Sequence, residues 1–137
     1  MSSASWALQQ AIFAELAASS DLQALVGDPP RIFDAVPREA AFPYVIVGDD
    51  QVSDWSTATE SGSEHLIAIH VWSRAGGRKE AKAIADVVRA RLDGAALTLT
   101  GQTLIDILYQ GEETARETDG ETFHAAIRFR AVIEPSE

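Results

Sequence analysis

The chain of 137 residues contains no cysteine. Disulfides, thiolate nucleophiles and Cys-based zinc sites are therefore excluded. Basic charge is also scarce. Eleven Lys and Arg stand against 21 Asp and Glu, a formal charge of −10 at pH 7. A free-standing nucleic-acid binder needs a basic footprint, and a protein docked on an anionic membrane needs one too. No stretch approaches the roughly 18 apolar residues of a membrane span. The opening residues, Met1-Ser2-Ser3-Ala4-Ser5, carry neither positive charge nor an apolar run. This predicts no signal peptide and a cytosolic origin. What is present is ordinary for a globular chain: 46% of residues are hydrophobic. The length suits one domain, here residues 1–137, and suffices to bury a core without staples. The acidic surface keeps free copies apart, so self-association needs local complementarity.

Hydrophobic periodicity sets the expected elements. Leu8, Ile12 and Leu16, with Phe13 beside them, mark a helix from Ser5 to Ser19, capped by Ser3 or Ser5. A short helix is expected over Asp21–Val26, with Asp21 as N-cap and Gly27 as left-handed stop. Asp28-Pro29-Pro30 extends the chain. Arg31–Phe33 and Pro43–Gly48 read as strands. Asp49–Gly62 reads as the tail of that second strand followed by a flexible loop. Glu64–Ser73 is the next strand. One of its faces holds His65, Ile67, Ile69 and Val71, the other Leu66, Ala68, His70 and Trp72. Neither face is polar, which predicts that both are covered. Arg78–Leu92 is a helix with Ala81, Ile84, Ala85, Val88 and Leu92 on one stripe, ended by Gly94. Strands are expected over Ala96–Thr100, Thr103–Gln110 and Thr122–Glu134. The last alternates Phe123, Ala125, Ile127, Phe129, Ala131 and Ile133 with His124, Arg128, Arg130 and Glu134. The order α, short α, β, β, β, α, β, β, β predicts an α+β fold: a mostly antiparallel sheet with two main helices on one face.

The search for chemistry yields no catalytic, cofactor-binding or metal-ligating set. His65 and His70 are five apart on one strand and point to opposite faces, so they cannot share a metal from it. The three histidines, His65, His70 and His124, read as surface or half-buried residues. Asp49, Asp50, Asp54, Glu60 and Glu64 cluster around one loop without EF-hand spacing, and read as a solvated acidic loop. The stretch Glu112, Glu113, Glu117, Asp119 and Glu121 reads the same way. No serine sits in a nucleophile elbow. Gly76-Gly77 lacks the phosphate-loop pattern and reads as a strand-to-helix turn.

Two features rise above this. Trp55 stands in a polar stretch and Trp72 on the less obvious strand face, as interface anchors or as plain packing. Arg128 and Arg130 share the polar face of the last strand. They are solvated, or available to pair with carboxylates of a neighbouring copy.

Several segments together resemble the small tail terminator, or tail-completion, proteins of long-tailed phages, prophages and gene transfer agents. They are Arg31-Ile32-Phe33-Asp34-Ala35-Val36-Pro37, Phe42-Pro43-Tyr44-Val45-Ile46-Val47-Gly48, His70-Val71-Trp72-Ser73-Arg74, Arg78-Lys79-Glu80-Ala81 and Phe129-Arg130-Ala131. Each is weak alone; their order and separations cover nearly the whole chain. The resemblance implies a structural protein without catalytic residues or cofactors. It implies a homo-oligomeric ring, usually a hexamer, that caps the head-proximal end of a tail tube, stops its polymerisation and docks the head connector. DNA would only pass through the lumen, and an acidic lumen would repel it. Assembly would occur in the bacterial cytoplasm, and the product would be part of a phage-like particle. The residues expected at interfaces are Trp55, Trp72, Arg74, Arg128 and Arg130. A head-tail joining adaptor of the same particle and a small carboxylate-based enzyme are the alternatives.

Overall fold

The computed structural model describes residues 3–136. Its first helix, α1 (Ala4–Ala17), starts at Ser3, whose hydroxyl accepts from the Trp6 amide. Leu8, Ile12 and Leu16 are buried as the stripe demands. Phe13, expected beside them, turns outward and is 44% exposed, because it lies off the stripe by about a quarter turn. The helix ends before Ser19, since the Ser19 hydroxyl caps the next one by accepting from the Leu22 amide. That second helix is α2 (Ser20–Val26); Asp21 sits in its first turn rather than at its cap. Gly27, at φ 95°, stops it. The third, α3 (Lys79–Leu92), buries Ala81, Ile84, Ala85, Val88 and Leu92.

One sheet holds five strands in the order β1-β2-β3-β5-β4. These are β1 (Ile32–Phe33), β2 (Tyr44–Asp54), β3 (Ser63–Ser73), β4 (Gln102–Arg116) and β5 (Phe123–Pro135). Only the β1–β2 pair is parallel; the other pairs are antiparallel. The fold is α+β with a mostly antiparallel sheet, and all three helices share one face of it. Ala96–Thr100 is not a strand; it makes one isolated bridge, Leu99 to Gln102. The place a sixth strand would take beside β4 is occupied by the end of α3. There the Gly94 amide donates to the Ile107 carbonyl, and the Tyr109 amide donates to Asp93 Oδ1. These contacts cover part of an edge that would otherwise be open to pairing. Trp55–Gly62 forms the β2–β3 loop, closed by the Trp55 amide on the Gly62 carbonyl.

Strand alternation gives the sheet two unlike faces. The inner face holds Val45, Val47, His65, Ile67, Ile69, Val71, Ile107 and the odd-numbered residues Ala125–Ile133, all buried under the helices. The expectation that both faces of β3 are covered is corrected by the structure. On the outer face Leu66 is 42% exposed, and Ala68, His70 and Trp72 are half-buried. No second layer lies over this face among the described residues; its cover is partial and comes from side chains of its own strands.

Candidate functional site

The outer sheet face collects three of the five expected interface residues: Trp72, Arg128 and Arg130. Register aligns them in rows across the strands. One row runs Gln51, Leu66, Arg130, Leu108 and another runs Tyr44, Trp72, His124, Ala115. Three bulges bend β2 and β4, one at Asp49 with φ 60°, one between Leu104 and Asp106 and one between Tyr109 and Gly111.

Arg130 Nε donates to Glu64 Oε2 at 2.6 Å, and both side chains are under a quarter exposed. Trp55 lies against the guanidinium, 4.8 Å from Cζ to the ring centroid. The first residue of the β2–β3 loop thus lays its ring over the sheet, yet Trp55 stays 52% exposed. Arg128 reaches Glu113 on β4. Both arginines therefore pair with carboxylates of their own chain. Arg130→Ala is expected to lower stability by about 1–3 kcal/mol, because Glu64 keeps its half-buried position with only the long 3.5 Å bond from the Ser53 hydroxyl. Trp55 should move with it. Urea unfolding followed by tryptophan fluorescence reads both effects, and an unchanged midpoint and emission maximum would disprove the coupling.

At one end of the face two histidines meet, 54 residues apart in the chain. His70 Nδ1 and His124 Nε2 are 2.7 Å apart, and the Trp72 ring stacks on His124 at 3.9 Å between centroids. Asp49 lies 2.9 Å from His70 Nε2, and Glu117 3.3 Å from His124 Nδ1. Burial, then the charge of His70, holds His124 below the usual histidine range, against the pull of Glu117. Beyond this stack Arg74 closes the end of the sheet. Its Nε donates to Thr122 Oγ1, its terminal nitrogens lie 3.7 and 3.4 Å from Asp119 and Glu121, and it covers the Phe42 ring. Asp119 accepts from the Thr122 hydroxyl and from the amides of Thr122 and Glu121, which with Arg74 draws its carboxyl down to about 2. Trp72 and Arg74 do flank the strand-to-helix turn, as their positions imply.

The two acidic stretches are engaged rather than converging on one point. Asp50 accepts from Ser5, Asp54 from Ser56, and Glu112 from the Tyr109 hydroxyl. Among the described residues no three His, Asp or Glu side chains are grouped to hold a metal ion. A shallow groove on the outer face, lined by Asp49, Gln51, Leu66, Ala68, His70 and Arg128, has an apolar floor and a rim of both charges. This is the character of a contact surface rather than of an enclosed reaction site.

A second surface escaped the sequence reading. Helix α1 exposes Trp6 (48%) and Phe13 beside Gln10. The signal was present: two aromatics seven residues apart, off the core stripe, in a helix whose only charged residue is Glu15.

Known proteins share this fold. Residues 10–134 match the sequence profile of the family described as tail completion protein gp17. The tail completion protein gp17 of Bacillus phage SPP1 is 29% identical over 132 residues, covering 95% of this chain and 94% of the relative. A chain in the structure titled virion of native gene transfer agent (GTA) particle superposes with a TM-score of 0.90 at 32% identity, covering 98% of this chain and 99% of its own. The structure of bacteriophage SPP1 gp17 superposes with a TM-score of 0.62 at 25% identity, covering 93% and 89%.

Proposed function

This chain belongs to the tail completion protein gp17 family, and from that premise we propose that it is a non-catalytic assembly protein, one domain spanning residues 1–137, that forms a ring at the head-proximal end of a phage-like tail tube. The ring ends tube polymerisation and offers the surface on which the head connector docks. The observation that carries this reading is the likeness, end to end at a TM-score of 0.90, to a chain of a gene transfer agent virion. The protein works among other virion proteins: copies of itself, the tube protein and the connector. It assembles in the bacterial cytoplasm and leaves as part of the particle.

The physics is that of a closed head-to-tail contact. Each copy joins its neighbour through two different surfaces, and a rotation that closes gives a ring of fixed number. A hexamer matches the resemblance. The ring halts the tube when one end fits the last tube layer and the other does not repeat it. A charge of −10 per copy repels DNA from the wall of the lumen. No metal or cofactor takes part.

Native mass by light scattering after size exclusion tests the ring. A mass near six protomers at moderate salt is the expected result, since screening then removes much of the repulsion between copies. Added to purified tail tubes, the protein should arrest their elongation in electron micrographs. A protomer mass together with tubes that keep growing would overturn the reading.

A further inference from the structure

A ring needs two complementary surfaces on opposite sides of one copy, and the structure displays a matched pair. The first lies beside β1. A groove there is lined by Trp6, Gln9, Gln10 and Phe13 of α1, with Asp34 and Val47. The outward stripe of α1 bears no charge, since Glu15 turns to Arg91 of α3. Val36, 41% exposed, stands in the loop after β1. An exposed aromatic patch of this kind marks a contact surface. Its rim holds one carboxylate, Asp34, which accepts from Gln9 of α1, and residues 28–47 carry three acidic and two basic side chains, a net charge of −1. Asp28 and Glu39 are exposed and have no partner among the described residues.

The second surface is the flank of α3 over the other side of the sheet. Residues 78–91 carry five basic and two acidic side chains, a net charge of +3 in a strongly acidic chain. Arg78 covers Phe123 of β5, and Arg89 covers Tyr109 of β4 at 3.9 Å. Lys79 and Lys82 are exposed with no partner among the described residues. Their aliphatic stems suit an apolar groove, and their ammonium groups suit the carboxylate at its rim. The nearby acidic stretch 112–121 does not cancel them, because its carboxylates are engaged by Tyr109, Arg128, His124, Arg74 and Thr122.

We propose that the α3 flank of one copy docks in the α1 groove of the next, with Lys79 and Lys82 facing Asp34 and Glu39. The proposal rests on the ring reading and specifies its contact. Trp6 and Phe13 supply the buried area, and the charges fix orientation and suppress the reversed pairing.

The absence of cysteine lets introduced thiols report without background. Gln10→Cys is made in one chain and Lys82→Cys in a second chain carrying a size tag. They are mixed at the concentration and salt where the unsubstituted chain shows its highest native mass, then treated with a short bis-maleimide. The mixed dimer should dominate over both same-chain dimers. Adding Lys79→Glu to the tagged chain should cut its yield, and adding Glu39→Lys to the other should restore it. Circular dichroism checks that each variant folds. If the unsubstituted chain forms a ring but the mixed dimer does not exceed same-chain dimers, the ring stands and this contact is wrong. Equal yields with and without the reversed charge refute it as well. Capture of the tube protein by the Gln10→Cys chain in preference to a second copy would assign the groove to the tube. If no ring forms, alone or on tubes, the ring reading falls and this contact falls with it.

Discussion

Replacing Phe129 with alanine is expected to lower the unfolding free energy by about 3–5 kcal/mol. Phe129 heads the fully buried side chains, with no exposed surface. It sits on β5, in the middle of the inner face, paired with Ile67 of β3 and Tyr109 of β4. The Tyr109 ring meets it edge-on at 6.1 Å, and Arg89 of α3 covers that tyrosine in turn. Removing the ring would open a cavity between three strands whose backbones are fixed by their ladders, so the site cannot collapse to fill it. A marginal total stability of roughly 5–15 kcal/mol makes that loss a large fraction of the whole. Urea unfolding should show a lower midpoint with an unchanged slope, and Phe129→Leu a smaller loss. A change in midpoint no larger than that of a surface substitution would mean that α3 and the sheet repack around the gap.

That core was legible before the fold was known, and the reason is local. On β5 apolar and polar residues alternate, and on α3 apolar residues recur at helical spacing against a charged remainder. In both, burial on one side alone decides the pattern. The far end of β4 was not legible, and the tail of β2 was legible only without its end point. From Asp50 to Asp54 and from Glu112 to Arg116 both faces are polar, so pairing there leaves no periodic trace and only the ladder itself defines the strand. The supposed strand Ala96–Thr100 failed for a different reason: a neighbouring segment already holds the edge it would have joined. Propensity cannot register that competition.

The interaction surfaces divide in the same way. Trp72, Arg128 and Arg130 belong to one face because strand parity places them there. Their partners do not follow from the sequence: Arg130 meets Glu64, 66 residues away, and His124 meets His70 across two strands. Charge pairing inside the chain removes these arginines from the supply of free cations. Among the described residues Arg38, Lys79, Lys82 and Arg116 are exposed without a side-chain partner, and none of them carried a special signal in the sequence. The clearest missed clue was Trp6 with Phe13, since an apolar residue on the solvent side of a helix with one charged residue is itself the anomaly.

His65 supplies the other large expected effect: stability should fall as pH drops below about 6.5, and His65→Met should remove much of that fall. The residue was expected at the surface or half-buried; the structure buries it fully on the inner face, between Val52 and Ala131. Its Nε2 lies 2.8 Å from Ser63 Oγ, while Nδ1 is buried without a partner among the described residues. The economical tautomer therefore has Nε2–H donating to Ser63 and a bare Nδ1, because an orphaned N–H is worse than an orphaned lone pair. A second proton would have to sit on Nδ1 with no acceptor among the described residues. Burial accordingly lowers the affinity of His65 for that proton, and the Asp50 charge opposes the shift without reversing it. The sign follows directly. Below about 6.5 the unfolded chain binds a proton that the folded chain resists, so unfolding gains with acidity until the lower folded value is reached. His124 is shifted the same way and adds to the slope. Asp119, held at about 2, titrates far below this window and leaves it clean. Urea midpoints from pH 7.5 to 5 in the parent, His65→Met and His65→Met with His124→Gln should diverge only below about 6.5. Parallel curves would show that His65 takes its proton in place, which requires water to reach Nδ1 in the folded chain.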